Sequence, residues 1–215
     1  MRIQLPSGNP AEISGEPGER GLVIVPDVFG LRPLFDSLVE RLAADWSCRA
    51  CAIELYPGNE DFDLQQRFDA ASSMADEQIL ADMTAAADMV GGSRVGAIGF
   101  CMGGMYALKA VSTRRFDRVV PFYGMIKVPQ SWKGPGQCEP LDHLGEGRAS
   151  SVMAVVGNLD AYTPPDDVTA LRSAGASVVE YQNAEHGFVH DPDRPAHRVD
   201  DAADAWGRAF DWLWT

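Results

Sequence analysis

Short apolar runs alternate along this chain with segments of helical length, and that alternation admits few folds. Gly21-Leu22-Val23-Ile24-Val25-Pro26 is strand-sized and apolar throughout, which suits a strand covered on both faces. Pro33 to Trp46 follows, with Leu34, Leu38, Leu42 and Trp46 at four-residue spacing, a pattern that predicts one helical stripe. Further strands are expected at Arg49–Leu55, Ser93–Gly99, Arg118–Tyr123, Ser151–Val156 and Ser177–Tyr181. Helices are expected over Leu64–Val90 in two or more pieces, then over Met102–Thr113, Asp166–Ala174 and Ala196–Trp214. In the last of these, Trp206, Phe210, Trp212 and Trp214 read as a helix docking by its apolar face. Lys127–Ala149, rich in Gly and Pro, reads as a surface excursion. Strands alternating with helices give βαβ units, hence an α/β fold with a mostly parallel sheet and helices on both faces. No linker or repeat divides the chain, so residues 1–215 are expected to form a single domain.

Composition narrows the functions such a domain can serve. The chain carries 31 acidic against 18 Lys and Arg residues, a net charge of −13, which repels phosphate backbones and argues against nucleic acid as a partner. Its apolar runs are far shorter than a membrane span, and the N-terminus lacks the pattern of an export signal. A cytoplasmic protein with no membrane partner is expected, and its 4 cysteines are expected to be free thiols. Cys48-Arg49-Ala50-Cys51 matches C-x-x-C but leads into a strand, whereas a redox pair needs a helix N-terminus. Cys101 and Cys138 stand alone, so no second pair completes a zinc site. Dinucleotide and P-loop readings lack their glycine-rich carriers.

Ligands bind such a sheet beyond the carboxyl ends of its strands, so residues that directly follow strands carry the functional argument. Gly99-Phe100-Cys101-Met102-Gly103-Gly104 follows the strand Arg94–Ile98 and opens a helix. It matches G-x-nucleophile-x-G, a nucleophile on a tight strand-to-helix turn, with cysteine where serine is more usual. The flanking glycines answer a steric need, because such a turn leaves no room for side chains two residues either side of the nucleophile. The helix N-terminus favours thiolate over thiol. The plainer reading is a small buried cysteine in a tight turn.

A nucleophile needs a base, and the base an orienting acid. His186 follows the strand ending at Tyr181, and Asp160, in Gly157-Asn158-Leu159-Asp160, follows Val152–Val156. The order nucleophile, acid, histidine is that of the α/β-hydrolase fold. His190 is either a second lining residue of the same cleft or a bystander, while His143 and His197 read as surface residues. Asp166 and Asp167, behind Pro164-Pro165, fit helix capping better than catalysis.

Taken together, these motifs resemble the dienelactone hydrolase family, cysteine-nucleophile members of the α/β-hydrolase fold. The resemblance rests on Pro26-Asp27-Val28-Phe29-Gly30, Glu54-Leu55-Tyr56, the elbow around Cys101, Phe122-Tyr123-Gly124, Gly157–Asp160 and His186-Gly187-Phe188, and runs from about Gly21 to the last helix. It implies hydrolysis of a small ester or lactone without cofactor or metal. By position it implies Cys101 as nucleophile, His186 as base, Asp160 as its orienter, and the backbone amides of Val28 and Met102 as an oxyanion hole. Two positions depart from the family pattern. Asp27 stands where the typical member has a glutamate that helps to activate the thiol. His190 stands where it has an arginine that helps to hold a substrate carboxylate; Arg67 is the counterpart of a second such arginine. Weaker discrimination for anionic lactones is therefore expected. The expected partner is a small-molecule ester or lactone, with the chain a monomer or small homo-oligomer. Two alternatives stay open: a non-catalytic ligand-binding homologue, and a hydrolase of thioesters or larger esters.

Overall fold

The computed structural model describes all 215 residues, Met1–Thr215. Strands β1 (Arg2–Gln4), β2 (Pro10–Ser14), β3 (Arg20–Val25), β4 (Arg49–Ile53), β5 (Arg94–Phe100), β6 (Arg118–Phe122), β7 (Met153–Gly157) and β8 (Ser177–Tyr181) form one sheet. Their order across it is β1-β2-β4-β3-β5-β6-β7-β8. The strands from β3 onward run parallel, while β1 and β2 add an antiparallel edge. The helices are α1 (Pro33–Asp45), α2 (Leu64–Ala71), α3 (Asp76–Val90), α4 (Met102–Lys109), α5 (Pro140–Glu146), α6 (Pro165–Ser173) and α7 (Val199–Trp214). This is the α/β-hydrolase architecture that the motif order implies.

Alternation along the strands splits the core in two. Leu22 and Ile24 of β3 pack with Leu38 and Leu42 of α1 and with Ala205 and Ala209 of α7. Val23 and Val25 face the other way, into a cluster with Met83 of α3, Tyr106 of α4 and Leu171 of α6. A sheet covered on both sides explains why its central strands read as unbroken apolar runs.

The buried face of α1 comprises Phe35, Leu38, Val39, Leu42 and Ala43, and Leu34 is only half-buried. A four-residue spacing advances about 40° around an α-helix at each step, so a stripe at that spacing winds off the contact face. In α7 an alanine stripe makes most of the contact together with Leu213 and Trp214: Ala202, Ala205, Ala209, Leu213 and Trp214 are buried, whereas Trp206, Phe210 and Trp212 are half-buried. Trp206 and Phe210 each lie edge-on to Trp46, with ring centroids 5.9 Å apart.

Several expectations are corrected. The short edge strands β1 and β2 fall outside the pattern, because they are only 3 and 5 residues long and mix single apolar residues with polar ones. The stretch 127–149 is no free excursion: it holds a 3₁₀ turn at Gln130–Trp132 and helix α5, and buries Trp132, Pro140 and Leu144. His143 lies within that stretch half-buried against Ser112, and His197 is half-buried ahead of α7, so neither is a plain surface residue. Asp166 and Asp167 make no side-chain cap on α6; they stand in its first turn, and Asp167 pairs with Lys127. Cys48 and Cys51 are free and buried, and burial pushes both thiols up to about 12. No helix is long and apolar enough to cross a membrane.

The sheet order fixes where a ligand can sit. From β3 the chain steps to β4 on one side, and later enters β5 on the other. The loops leaving β3 and β5 therefore diverge around a crevice at the carboxyl ends of the strands.

Candidate active site

The elbow after β5 is a steric construction. Cys101, at the N-terminus of α4, has φ 55° and ψ −116°, a conformation that costs a non-glycine residue about 1–3 kcal/mol. Its backbone N–H donates to the Phe122 carbonyl at 3.1 Å. A Cβ added to Gly99 would lie 2.1 Å from the Gly103 carbonyl oxygen, and one added to Gly103 would lie 2.1 Å from that of Pro26. Both positions are therefore glycine by necessity. Gly103 also seats the elbow directly against the loop after β3, which carries Asp27 and Val28. Glu54, buried after β4, accepts from the backbone N–H of Leu31 at 2.9 Å and of Leu55 and Tyr56 at 2.8 Å. One carboxylate thereby ties the loops leaving β3 and β4 together.

The acid and the histidine come from two further loops that touch. Leu159 N–H donates to the Ala184 carbonyl at 3.0 Å, and Asn158 N–H to that of Tyr181 at 3.0 Å. Buried Asp160 receives the Tyr162 N–H on Oδ1 at 2.8 Å and faces His186 Nδ1 with Oδ2 at 2.8 Å. The His186 ring lies against Tyr162 and Tyr123, with centroids 4.8 and 5.1 Å away. Its Nε2 is buried without a hydrogen-bond partner. Burial disfavours the imidazolium, but the hydrogen bond to the Asp160 carboxylate, with Cys101 near by, outweighs it and raises His186 to about 9.

Cys101 and His186 line one cavity of about 670 Å³, an ordinary size for a small-molecule site. Its walls are largely apolar, from Phe29, Leu64, Phe68, Trp132 and Tyr162, and Val28 and Asp27 lie at its floor. Trp132 stacks on Phe68 with centroids 5.9 Å apart. Of the 14 lining residues, only Arg194 carries a permanent positive charge.

The structure brings Cys101, Asp160, His186, Val28, Met102 and Asp27 to this one end of the sheet, with Met102 as the first residue of α4. It does not bring Arg67 or His190 to the cavity wall. Arg67 is buried over the Tyr56 ring at 4.7 Å, and its Nε and Nη2 donate to the carbonyls of Phe62 and Glu60 at 2.8 and 2.6 Å. The His190 side chain has 0% of its surface exposed and lies 2.9 Å, through Nε2, from Asp27 Oδ2, with Nδ1 against the Tyr123 hydroxyl. Burial lowers its pKa, so the buried ring is held neutral. Sequence reasoning missed Arg194, which lies in a Pro-flanked loop without periodicity, and Arg32. Arg32 Nη1 and Nη2 grip the two oxygens of Asp27 at 2.6 and 3.0 Å. A basic residue five positions past an acid carries no signal of its own.

Known proteins of the same build bear on this geometry. The dienelactone hydrolase family pattern matches residues 11–215. A probable 2-oxo-3-(5-oxofuran-2-ylidene)propanoate lactonase from Bradyrhizobium sp. is 25% identical over 207 residues, covering 89% of this chain and 82% of that protein. Carboxymethylenebutenolidase 2 from Cupriavidus pinatubonensis is 23% identical over 184 residues, covering 81% of this chain and 75% of that protein. A Klebsiella pneumoniae protein assigned as a dienelactone hydrolase superposes with a TM-score of 0.84 at 25% identity, over 99% of this chain and 97% of its own. With the match running through both the sheet and the loops of the cleft, the chain belongs to the dienelactone hydrolase family, and its activity is of the ester- and lactone-hydrolase type.

Proposed function

We propose that this protein hydrolyses a small lactone or ester bearing an anionic group, through a thioester at Cys101. The observation that carries the reading is His186: Nδ1 is committed to Asp160, and the free Nε2 sits beside the cavity that Cys101 lines. A ring raised to about 9 is an imidazolium at neutral pH, which stabilises the thiolate next to it and holds a proton for the leaving group.

The thiolate attacks the carbonyl carbon, and the carbonyl oxygen becomes an oxyanion received by the backbone N–H groups of Val28 and Met102. The Met102 N–H is free for this because the first turn of a helix has no acceptors for its own N–H groups. Each such donor is worth about 2.7–4 kcal/mol to the transition state. Collapse breaks the acyl C–O bond, and His186 protonates the departing alkoxide; in a lactone that alcohol stays tethered to the acyl group. The now neutral His186 takes a proton from water, the hydroxide adds to the thioester, and Cys101 leaves as thiolate. Asp160 holds the tautomer and balances the imidazolium throughout.

Arg194 supports the anionic part of the reading. It is the cation at the cavity wall and forms no ion pair with any carboxylate of the chain. Both curated relatives are named for lactones that carry a carboxyl group. A neutral His190 sealed behind Asp27 takes no part in that recognition, which replaces the expectation of weak anion discrimination with one in which Arg194 supplies it. The test is to mix the protein with an activated ester, quench in acid and map the acyl adduct by mass spectrometry, with Cys101→Ala in parallel. The adduct is expected on the Cys101 peptide, and turnover is expected to vanish in the variant. Turnover that persists in folded Cys101→Ala overturns the reading.

A further inference from the structure

Away from the cleft, α3, α4 and α5 converge on a second group of reactive side chains that hydrolysis does not use. Asp76 is the first residue of α3, while Cys138 and His143 come from the approach to α5 and from α5 itself. A carboxylate oxygen of Asp76, the Cys138 sulfur and a ring nitrogen of His143 lie within 4.8 Å of one another. We propose that this cluster binds a divalent, thiophilic metal ion of the Zn²⁺ class, held by Asp76 Oδ2, His143 Nε2 and Cys138 Sγ with water completing the set.

The hydrogen bonds around His143 carry the inference. Ser112 Oγ donates its one proton to the Lys109 carbonyl at 2.9 Å and meets His143 Nδ1 at 2.8 Å. Only its lone pairs remain for that second contact, so Nδ1 carries a proton, and in the uncharged tautomer this leaves Nε2 bare. That Nε2 is buried, has no hydrogen-bond partner and stands 3.5 Å from Asp76 Oδ2. In that tautomer two acceptors face each other. The separation is long for a charge-assisted hydrogen bond, which runs about 2.7–2.9 Å. It suits two ligands on a tetrahedral zinc, where bonds near 2.1 Å put nitrogen and oxygen about 3.4 Å apart. The Ser112 contact is also the kind of outer bond that fixes the tautomer of a metal-binding imidazole.

The rest of the cluster leaves room for the ion. Lys109 Nζ occupies the other oxygen of Asp76, Oδ1, at 2.7 Å, and the Cys138 N–H takes one lone pair of Oδ2 at 2.8 Å. A second lone pair of Oδ2 stays free. Cys138 is exposed, which gives an entry path from solvent. On binding, its thiol releases a proton to water and a sulfur–metal bond takes the place of S–H. Imidazole, carboxylate and thiolate together suit zinc rather than calcium or magnesium, whose ligands are oxygens. Pro129 and Trp132, on the same 127–149 stretch, line the catalytic cavity, so the metal would clamp one wall of the cleft to α3.

The test loads metal-free protein with Co²⁺ as a spectroscopic substitute for Zn²⁺ and follows the thiolate-to-cobalt charge-transfer absorption. One equivalent is expected to give the band in wild type and in Cys101→Ser, and none in Cys138→Ser. Ser112→Ala is expected to weaken uptake about tenfold or more by freeing the imidazole. Added Zn²⁺ is expected to bleach the band and to protect Cys138 from alkylation. A band that survives Cys138→Ser, or that disappears in Cys101→Ser, puts the metal on the cleft thiol and overturns the proposal. So does the absence of any band in wild type at a large excess of Co²⁺.

Discussion

Replacing Asp160 with asparagine exchanges one oxygen for nitrogen, and the surroundings dictate which one. Oδ1 receives the Tyr162 N–H and Oδ2 faces His186 Nδ1, each at 2.8 Å. A backbone N–H cannot bond to an amide NH₂, so the single asparagine oxygen must take the Tyr162 side. The NH₂ then points at Nδ1, which becomes an acceptor, and the ring proton moves to Nε2. That proton blocks the atom on which the proposed mechanism depends. The negative charge is lost as well. Holding an imidazole near 9 instead of 6.5 corresponds to about 3 kcal/mol of preference for the cation, shared between Asp160 and Cys101. A tautomer reversal of this kind costs about 10⁴ in kcat in a serine protease triad. We expect about 10³–10⁴ here, or about 4–5.5 kcal/mol of barrier. The assay is kcat for a chromogenic ester, paired with the rate of iodoacetamide alkylation of Cys101 from neutral to alkaline pH. In wild type the imidazolium persists until about 9, so alkylation is expected to be fast already at neutral pH. In Asp160→Asn it is expected to be slower than in wild type at neutral pH. A folded variant that keeps kcat/KM within roughly tenfold of wild type refutes the reasoning.

Cys101 is expected to be alkylated ahead of the other three cysteines at neutral pH, because burial holds the Cys48 and Cys51 thiols near 12 and the ring of His186, raised to about 9, shares the cavity with Cys101; peptide mapping after one equivalent of iodoacetamide checks the order. Arg194→Ala is expected to lower kcat/KM about ten- to a hundredfold for an anionic lactone, the value of one charge-assisted bond, and to leave a neutral ester near wild type. Equal losses on both substrates count against an anion anchor. Because burial lowers the pKa of His190, the unfolded chain takes up a proton below 6.5 that the folded chain refuses. Stability is therefore expected to fall as pH drops below 6.5, and His190→Gln is expected to flatten that part of the profile in urea midpoints against pH.

What could be read from the sequence was local or ordered along the chain. The strand into Cys101 and the helix out of it declare themselves because glycine is forced at 99 and 103 by backbone contacts that no side chain survives. Asp160 and His186 are found because each follows an apolar strand, and the chain order singles them out. Side-chain direction was not readable. His190 sits four residues beyond His186 yet turns inward, because Asp27 and Tyr123 offer its two nitrogens partners that solvent would otherwise supply. The meeting of Asp76 with Lys109 and His143 brings together helices far apart in sequence, and nothing in the pattern of those helices announces it. Edge strands β1 and β2 escape notice because they are short: β2 pairs with β4 and β1 only with β2, and few apolar side chains mark them.

Asp27 has no free position for a further partner. A carboxylate has about four lone-pair positions. Here Oδ1 accepts from Arg32 Nη1 at 2.6 Å and from the Phe29 N–H at 3.0 Å, while Oδ2 faces Arg32 Nη2 at 3.0 Å and His190 Nε2 at 2.9 Å. Nothing is left over for a thiol. The tie to His190 and Arg32 holds Asp27 well below the ordinary carboxylate range despite its burial, so it stays charged and bound. His190 in turn must donate from Nε2 and accept at Nδ1 from the Tyr123 hydroxyl, which keeps it neutral. An arginine at 190 would place a second guanidinium on an acid that Arg32 already grips with both terminal nitrogens. The aspartate and the histidine are thus one arrangement. Its effect is to pin the loop after β3, and in the proposed mechanism thiol activation then falls to His186 and to the N-terminus of α4.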